Sequence, residues 1–439
     1  MAKSFDLLIR GGTLVSTTGR VRGDVGVIDG KIAATGELHE AEAADIIEAP
    51  GLHVLPGVMD PQVHFREPGG EHKEDLATGS AAAALGGITG VLEMPNTNPP
   101  TTSEEAFRDK LSRADGRAWV DFGFYVGATE ENASQLVELE RLPGCCAVKM
   151  FMGSSTGGLL VASDEGVRSV LASGQRRVAV HCEDEERLIA RANLRRAGDP
   201  SSHPEWRDVK TALRATTRLL TVAREIGRKV HVLHVTTAEE MSFLADHKDL
   251  ATVETSPQHL TLSAPDCYER LGTYAQMNPP IREGRHREAL WQAVTSGVVD
   301  VIGSDHAPHT REEKEAGYPD TPSGMPGVQT LLPILLNHVN QGHLPLERVV
   351  ELTSASVART FGMKSKGTLA PGYDADLTLV DLDHQRTIDN DWIASRCGWT
   401  PFHGEKVQGW PRATIVRGRV IMREDELLGS PIGQAMTFE

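Results

Sequence analysis

The sequence predicts an α/β protein: a (β/α)8 TIM barrel that carries a small discontinuous β-sandwich domain formed by both termini. Three observations lead to this prediction. Eight short apolar runs alternate with helical segments through the middle of the chain, as parallel βα units do. Most of these runs end in a polar or ionisable residue, and the two ends of the chain resemble each other.

Eight candidate strands form the barrel in this prediction, because eight is the number that closes it. In chain order the runs are VMDPQVHF (58–65), ITGVLEMP (88–95), VDFGFYVGA (120–128), CAVKMFM (146–152), VAVHCE (178–183), KVHVLHVT (229–236), ATVETS (251–256) and VDVIGSDH (299–306). At or just beyond their C-terminal ends stand His64, Asn96, Lys149, His181, His234 and Asp305. Active sites of such barrels are built on that face, so we expect these side chains to meet.

The two ends of the chain are predicted to form one β domain. DLLIRGGTLV (6–15) and ATIVRGRVIM (413–422) are both strand pairs broken at Arg-Gly, and the flanking segments alternate apolar residues with turn residues. We therefore expect residues 1–57 and 365–439 to be the two parts of the β-sandwich, and residues 58–364 to be the barrel.

Composition narrows the class of function. The net charge of -16 comes from dispersed acidic residues, which favours solubility and argues against a nucleic-acid partner. No apolar run is long enough to span a bilayer, and the N-terminus lacks the segments of a signal peptide. The five cysteines form no CxxC motif and suit a reducing compartment. We expect a cytoplasmic enzyme with a small-molecule substrate and no membrane contact.

The first barrel strand carries an incomplete metal motif. Asp60, Gln62, His64 and Arg66 alternate along the strand and are expected to share one face. A histidine in place of Gln62 would give the His-x-His pair that clamps a divalent metal. The sequence therefore predicts a metal site with one weak position.

Further candidate ligands stand on other strands. His181 shares a strand face with Ala179 and His234 with Val232, which predicts that both point into the barrel, whereas His231 should point the other way. One such histidine alone would more often be structural. Three on separate strands, together with Asp305, favour a metal site in which Asp305 is both ligand and general base.

Lys149 lies in the apolar run Ala-Val-Lys-Met-Phe-Met, where a buried ammonium is costly unless it is paired or deprotonated. One interpretation is a lysine that extends to the barrel mouth. The other is a neutral amine that reacts with carbon dioxide to form a carbamate, whose two oxygens can bridge two metals roughly 3.5 to 4 Å apart.

Together these segments resemble the amidohydrolase superfamily and, within it, cyclic-amide hydrolases of the dihydroorotase family. The resemblance covers almost the whole chain through the split β ends and the motifs PGVMDPQVHFREPG, EMPNTNPPTT, VKMFMGSSTG, AVHCEDE, HVLHVTT, MNPPIR and SDHAPHT. It implies one or two Zn²⁺ ions and N-carboxylation of Lys149. The implied ligands are His64, Lys149, His181, His234 and Asp305, with Gln62 a weak or absent ligand.

The resemblance also implies a substrate. Arg66, Asn96 and His309 match positions that hold a substrate carboxylate, and Asn278 matches a position near a pyrimidine ring. The implied reaction is the reversible interconversion of N-carbamoyl-L-aspartate and L-dihydroorotate in pyrimidine biosynthesis. In the hydrolytic direction, Asp305 would take a proton from the attacking water and deliver it to the departing nitrogen.

Two alternatives stay open at this point. Some dihydroorotase-like chains are catalytically dead scaffold partners of aspartate transcarbamoylase, and the loss of a histidine at Gln62 keeps that hypothesis alive. A related enzyme of the hydantoinase or allantoinase type would act on another cyclic amide. By analogy with similar barrels, we also expect a homodimer.

Overall fold

The computed structural model describes residues 4–38, 40–155 and 159–439. The end of the VKMFMGSSTG motif, at residues 156–158, and the first three residues of the N-terminus lie outside the described residues. The described chain forms two sheets, one of eight strands and one of nine.

The strands are β1 Phe5–Ser16, β2 Gly19–Ile28, β3 Lys31–Gly36, β4 Ala43–Glu48, β5 His53–Pro56, β6 Val58–Val63, β7 Ile88–Glu93, β8 Asp121–Gly127, β9 Cys145–Phe151, β10 Val178–His181, β11 Val230–Val232, β12 Ala251–Thr255, β13 Val301–Ile302, β14 Leu377–Thr387, β15 Lys406–Val416, β16 Arg419–Arg423 and β17 Glu426–Leu427. The α-helices are α1 Leu76–Leu85, α2 Glu104–Ala114, α3 Leu136–Leu139, α4 Asp164–Ala172, α5 Glu185–Ala190, α6 His203–Trp206, α7 Val209–Ile226, α8 Ala238–Ala245, α9 Pro257–Thr261, α10 Asp266–Leu271, α11 Gly284–Ser296, α12 Arg311–Lys314, α13 Leu331–Asn340, α14 Leu346–Val350 and α15 Ser356–Phe361.

Strands β6 to β13 form the predicted barrel, in the order in which they occur along the chain, and all adjacent pairs are parallel. The barrel closes between its first and last strands, where the backbone N–H of His64 donates to the carbonyl of His306 at 2.7 Å. All eight predicted strands are confirmed. The two shortest are β11 with three residues and β13 with two, so the polar ends of their runs belong to loops.

The second sheet joins the two ends of the chain, as predicted. Strand β1 pairs with β2, β4 and β5 from the N-terminal part, and β14 of the C-terminal part pairs antiparallel with β5. Its core is apolar and buried; members include Leu7, Val25, Val54, Leu377 and Ile415. The fold class is therefore confirmed, while the domain boundaries at residues 57 and 364 stay a prediction.

A buried ion cluster ties the barrel to the second sheet. The Nζ of Lys366 lies 2.7 Å from Asp121 at the start of β8 and 2.5 Å from Asp376 just before β14. Burial alone would lower the pKa of Lys366, but the surrounding carboxylates outweigh it and raise that pKa above its ordinary value. Removing the lysine would leave Asp376 buried without a cation, while Asp121 would keep its ion pair with Arg417.

Within the described ranges, no helix is long and apolar enough to cross a bilayer.

Candidate active site

A pocket lies at the C-terminal ends of the barrel strands. It contains five of the predicted metal-site residues together with Gln62, Arg66, Asn96 and Asn278. The lining residues are Gln62, His64, Arg66, Asn96, Lys149, Phe151, Ser155, His181, His234, Asn278, Asp305, Ala307, Ser323 and Gly324. The strand ends therefore bring together side chains that are more than 200 positions apart in the sequence.

Three site residues have backbone conformations that non-glycine residues rarely adopt. The φ angles are +63° at Arg66, +35° at His234 and +46° at Asp305. Each residue lies two or three positions beyond the end of its strand, and such conformations persist only where the surrounding structure enforces them. The turn at each strand end directs these side chains into the pocket.

His234 lines the pocket, as predicted, but the strand alternation assumed for it is wrong, and so is the outward orientation predicted for His231. Val232 packs in the outer core between strands and helices, whereas Leu233 belongs to the inner core. His234 reaches the pocket because the chain turns at its positive φ, and the strand alternation assumed from the sequence ends before it. His231 is buried, with Nε2 3.2 Å from a carboxylate oxygen of Glu254, and burial lowers its pKa to about 3.

His181 and His234 form the first pair of possible metal ligands. The Nδ1 of His181 lies 3.1 Å from the Nε2 of His234. The other ring nitrogen of His181 donates to Glu183 at 2.9 Å, so its Nδ1 carries the lone pair that faces His234. Burial would raise the pKa of Glu183, but Arg207 and His181 outweigh it and hold that pKa at about 2. Burial lowers the pKa of both histidines, which favours the neutral rings that bind metals.

His64 and Asp305 form the second pair. The Nε2 of His64 lies 3.2 Å from Oδ1 of Asp305. The Nδ1 of His64 lies 2.7 Å from the amide oxygen of Asn96, which can only accept, so Nδ1 carries the proton and Nε2 the lone pair. Burial lowers the pKa of His64 to about 4. Asn96 therefore fixes the orientation of a predicted ligand, a contact that the sequence did not indicate.

Gln62 is oriented by Asp305. Its amide Nε2 donates to Oδ1 of Asp305 at 3.0 Å. Its Oε1 is buried and has no hydrogen-bond partner among the described residues. Asp60 does not line the pocket; its carboxylate accepts from the backbone N–H of Ser304 at 2.9 Å. Asp60 therefore does not share the pocket with Gln62, His64 and Arg66, although the strand alternation predicted that it would. It is buried and supports the backbone at Ser304.

Lys149 lies between the two pairs and is fully buried. The interpretation that it extends to solvent is wrong. Its Nζ has no hydrogen-bond partner in the described part of the chain, and it lies 4.4 Å from the centre of the Phe151 ring. Burial lowers its pKa to about 8. An amine in this position is both costly to keep charged and free to react.

Arg66 lines the pocket, and His309 lies next to it. The Nε of Arg66 donates to the carbonyl of Pro308 at 3.2 Å, and its Nη2 lies 3.4 Å from Nε2 of His309. His309 is buried behind Ser323 and does not itself line the cavity. Asn278 lines it, with its Oδ1 2.9 Å from Nε2 of His203. Burial lowers the pKa of Arg66 to about 10.

Four supporting residues escaped the sequence analysis: Lys73, Glu183, Arg207 and Glu313 contact site histidines or their partners. From sequence alone, charged residues at helix starts and in loops cannot be distinguished from solvent-exposed surface residues. Glu183 alone carried a signal, since it stands two residues after His181 and falls on the same strand face.

The side chains by themselves do not complete a metal site. Within residues 4–38, 40–155 and 159–439, no group of three or more His, Cys, Asp or Glu is arranged to hold a metal ion. The pocket instead contains two pairs of such ligands with a lysine between them.

Comparison with known proteins agrees with this architecture. Residues 53–421 match the model of the Amidohydrolase family. A dihydroorotase from Halobacterium salinarum is 40% identical over 414 residues, which cover 94% of this chain and 96% of the relative. An allantoinase from Deinococcus radiodurans is 34% identical and covers 99% of both chains.

The same fold occurs in a solved structure. An L-hydantoinase (dihydropyrimidinase) from Arthrobacter aurescens superposes with a TM-score of 0.94 at 32% identity, covering 99% of this chain and 100% of the other. The strand-end pocket, the family match and these relatives together show that the chain belongs to the amidohydrolase family and is a cyclic amide hydrolase.

Proposed function

We propose that the protein is a zinc-dependent dihydroorotase that interconverts N-carbamoyl-L-aspartate and L-dihydroorotate. The observation that carries this proposal is the guanidinium of Arg66. It is buried at the pocket, and none of the described carboxylates lies within the 4.0 Å of an ion pair. A buried charge needs a partner. A ring that carries a carboxylate supplies it, with the bidentate geometry that arginine favours.

The arrangement of the ligand pairs supports a metal. His181 with His234, and His64 with Asp305, would each offer two ligands, and Lys149 lies between them with an unpartnered amine. Carboxylation of Lys149 would give each pair an anionic oxygen as its third ligand. This would explain why the unmodified side chains of the described residues form no group of three ligands. When bound, Zn²⁺ would lower the pKa of a water molecule and polarise the amide carbonyl.

The protein's own side chains then transfer the proton and orient the substrate. Asp305 takes a proton from the attacking water through one oxygen and returns it to the departing ring nitrogen. Its other oxygen is held by the amide of Gln62 and lies near His64. Arg66 and His309 orient the substrate carboxylate, and Asn278 contacts the ring. Asn96 orients His64 through its amide oxygen and also contacts the substrate.

Gln62 would weaken the metal site that contains His64. A neutral amide oxygen is a poorer zinc ligand than imidazole, and the amide is engaged with Asp305. We infer that the His181 and His234 site holds zinc tightly, while the His64 site is partly occupied. Cytoplasmic location, a homodimer and a role in pyrimidine biosynthesis belong to the same proposal.

A second candidate is a hydrolase of a neutral cyclic amide, because the allantoinase relative and the hydantoinase structure match over the full chain. A catalytically dead scaffold for aspartate transcarbamoylase is less consistent with five retained ligand candidates in one pocket.

One assay separates these functions. Purified protein supplied with zinc is tested on L-dihydroorotate, hydantoin and allantoin, with Asp305→Ala as the inactive control. We expect turnover of L-dihydroorotate to exceed that of either neutral ring. Preference for hydantoin or allantoin would assign the second function, and inactivity on all three would favour the scaffold.

A further inference from the structure

Lys73 contacts the far side of His309 from the substrate pocket. It stands in the loop between β6 and α1, with its side chain mostly buried. Its Nζ lies 3.1 Å from Nδ1 of His309 and 2.9 Å from a carboxylate oxygen of Glu313. Glu313 is itself fixed, because its other oxygen accepts from the backbone N–H of Thr310 at 3.0 Å, at the start of α12. The ammonium of Lys73 is therefore held in place from two directions.

The two shortest contacts of His309 favour one tautomer. An ammonium can only donate, so Nδ1 accepts from Lys73 and carries no proton. The carbonyl of Ser323 lies 3.1 Å from Nε2 and can only accept, so Nε2 carries the proton. The nearer Glu313 oxygen lies 3.7 Å from Nδ1, beyond hydrogen-bond range. Burial, with Arg66 and Lys73, keeps the ring neutral by lowering its pKa to about 3.

The Nε2–H of His309 and the guanidinium of Arg66 then converge. Their nitrogens lie 3.4 Å apart. The guanidinium can only donate, so this contact alone would favour a lone pair on Nε2, but the two shorter contacts, with Lys73 and Ser323 at 3.1 Å each, favour the proton there. Among the described residues, Nε2 has one carbonyl as an acceptor, that of Ser323, and Arg66 has no carboxylate within 4.0 Å. Gly324 keeps the site open, because a Cβ there would lie 3.1 Å from Nε2 of His309. Two adjacent donors short of acceptors form a receptor for one carboxylate.

We propose that Lys73 is a positioning residue that determines specificity: by donating to Nδ1 it holds His309 as an Nε2–H donor beside Arg66, and so favours rings that carry a carboxylate. The ring chemistry rests on the function proposed above. Without Lys73, only the carbonyl of Ser323 would still favour the proton on Nε2, while the carboxylate of Glu313, 3.7 Å from Nδ1, would favour it on Nδ1. In the Nδ1–H tautomer, a bare Nε2 lone pair would face the substrate carboxylate and repel it.

The competing explanation is purely structural. In that case the ion pair between Lys73 and Glu313 only ties the loop before α1 to α12, and its loss would affect every substrate alike. The two explanations differ for L-dihydroorotate and 5,6-dihydrouracil, which share the ring and differ by the carboxylate.

The test compares Lys73→Met, Lys73→Arg and the control Lys229→Met, an exposed lysine away from the pocket. Kinetics on both rings are combined with calorimetric binding of orotate, an anionic ring analogue, to the zinc-loaded proteins. For Lys73→Met we expect kcat/KM on L-dihydroorotate to fall about 10- to 100-fold, mainly through KM, with a matching loss of orotate affinity. Activity on dihydrouracil should change less than about twofold, and Lys73→Arg should recover most of the loss.

Equal losses on both rings, or no loss on either, would overturn the role of Lys73 even if the protein proves to be a dihydroorotase. If the wild type hydrolyses only neutral rings, the proposed function fails, while weaker orotate binding by Lys73→Met would still support the inference. Absence of orotate binding to the wild type would overturn it.

Discussion

The amide of Gln62 donates to Oδ1 of Asp305 at 3.0 Å, and Nε2 of His64 lies 3.2 Å from the same oxygen. A residue that stands where a metal-binding histidine would complete a His-x-His pair is thus engaged with the proposed general base. The hydrogen bond holds Asp305 in place and withdraws electron density from it. The consequence of Gln62 is therefore twofold: a weaker metal position and a restrained carboxylate.

Substitution Gln62→His should strengthen that metal position, because imidazole is a better zinc ligand than an amide oxygen. After dialysis against metal-free buffer, we expect the wild type to retain about one zinc per chain and the variant nearer two, measured by elemental analysis. Gln175→His, at an exposed position, is the matched control. Two tightly held zinc ions in the wild type would contradict the assignment.

Lys149→Ala should abolish activity, because neither ligand pair would gain its third oxygen. We expect a loss greater than the roughly 100-fold typical of a residue that only supports a ligand. Short carboxylic acids that fill the space of the missing carbamate should restore part of it, whereas bicarbonate alone should not. The control Lys229→Ala should behave as wild type. Full activity of Lys149→Ala without added acid would rule out the carbamate.

Glu183→Gln should weaken zinc binding, because the carboxylate fixes the tautomer of His181 and is itself held by Arg207. A loss of about 10- to 100-fold in affinity is expected for such a partner. Competition with a chromophoric chelator measures it. Glu186→Gln, on an exposed position of the same segment, should leave affinity unchanged. Equal affinities for the two variants would show that Glu183 has only a packing role.

Lys366→Met should destabilise the fold, because it leaves Asp376 buried without its cation and leaves Asp121 with Arg417 alone. We expect a loss of about 3 to 5 kcal/mol in the free energy of unfolding, measured by urea denaturation. Lys31→Met is the control: Lys31 pairs with Asp374 but is nearly half exposed, and we expect a change below about 1 kcal/mol. Similar effects of both substitutions would show that the cluster does not hold the two sheets together.

The sequence predicted the parts of the site that depend on strand ends. Periodicity located all eight strands, and barrel geometry then required His64, Lys149, His181 and Asp305 to lie on one face. His234 reached the predicted pocket for a different reason, because a positive φ turns it inward after β11 has ended. The alternation of apolar and polar residues in the sequence does not indicate such a local change in backbone direction.

The supporting contacts could not be predicted in the same way. Lys73 and His309 are separated by 236 positions, and they meet only because the barrel brings the loops after its first and last strands together. Asn96 was expected at the substrate, yet its amide oxygen contacts His64. Such pairings depend on side-chain orientation above the barrel, which topology alone does not fix.

The central claim is that Arg66 binds the carboxylate of L-dihydroorotate. The most direct test is a ratio of two rate constants: kcat/KM for L-dihydroorotate divided by kcat/KM for 5,6-dihydrouracil. This ratio is measured in the wild type and in Arg66→Met. The account predicts a wild-type ratio far above one and a fall of more than about 100-fold in the variant, since a buried charged pair loses one member. A wild-type ratio at or below one, or a ratio that Arg66→Met leaves unchanged, would contradict it.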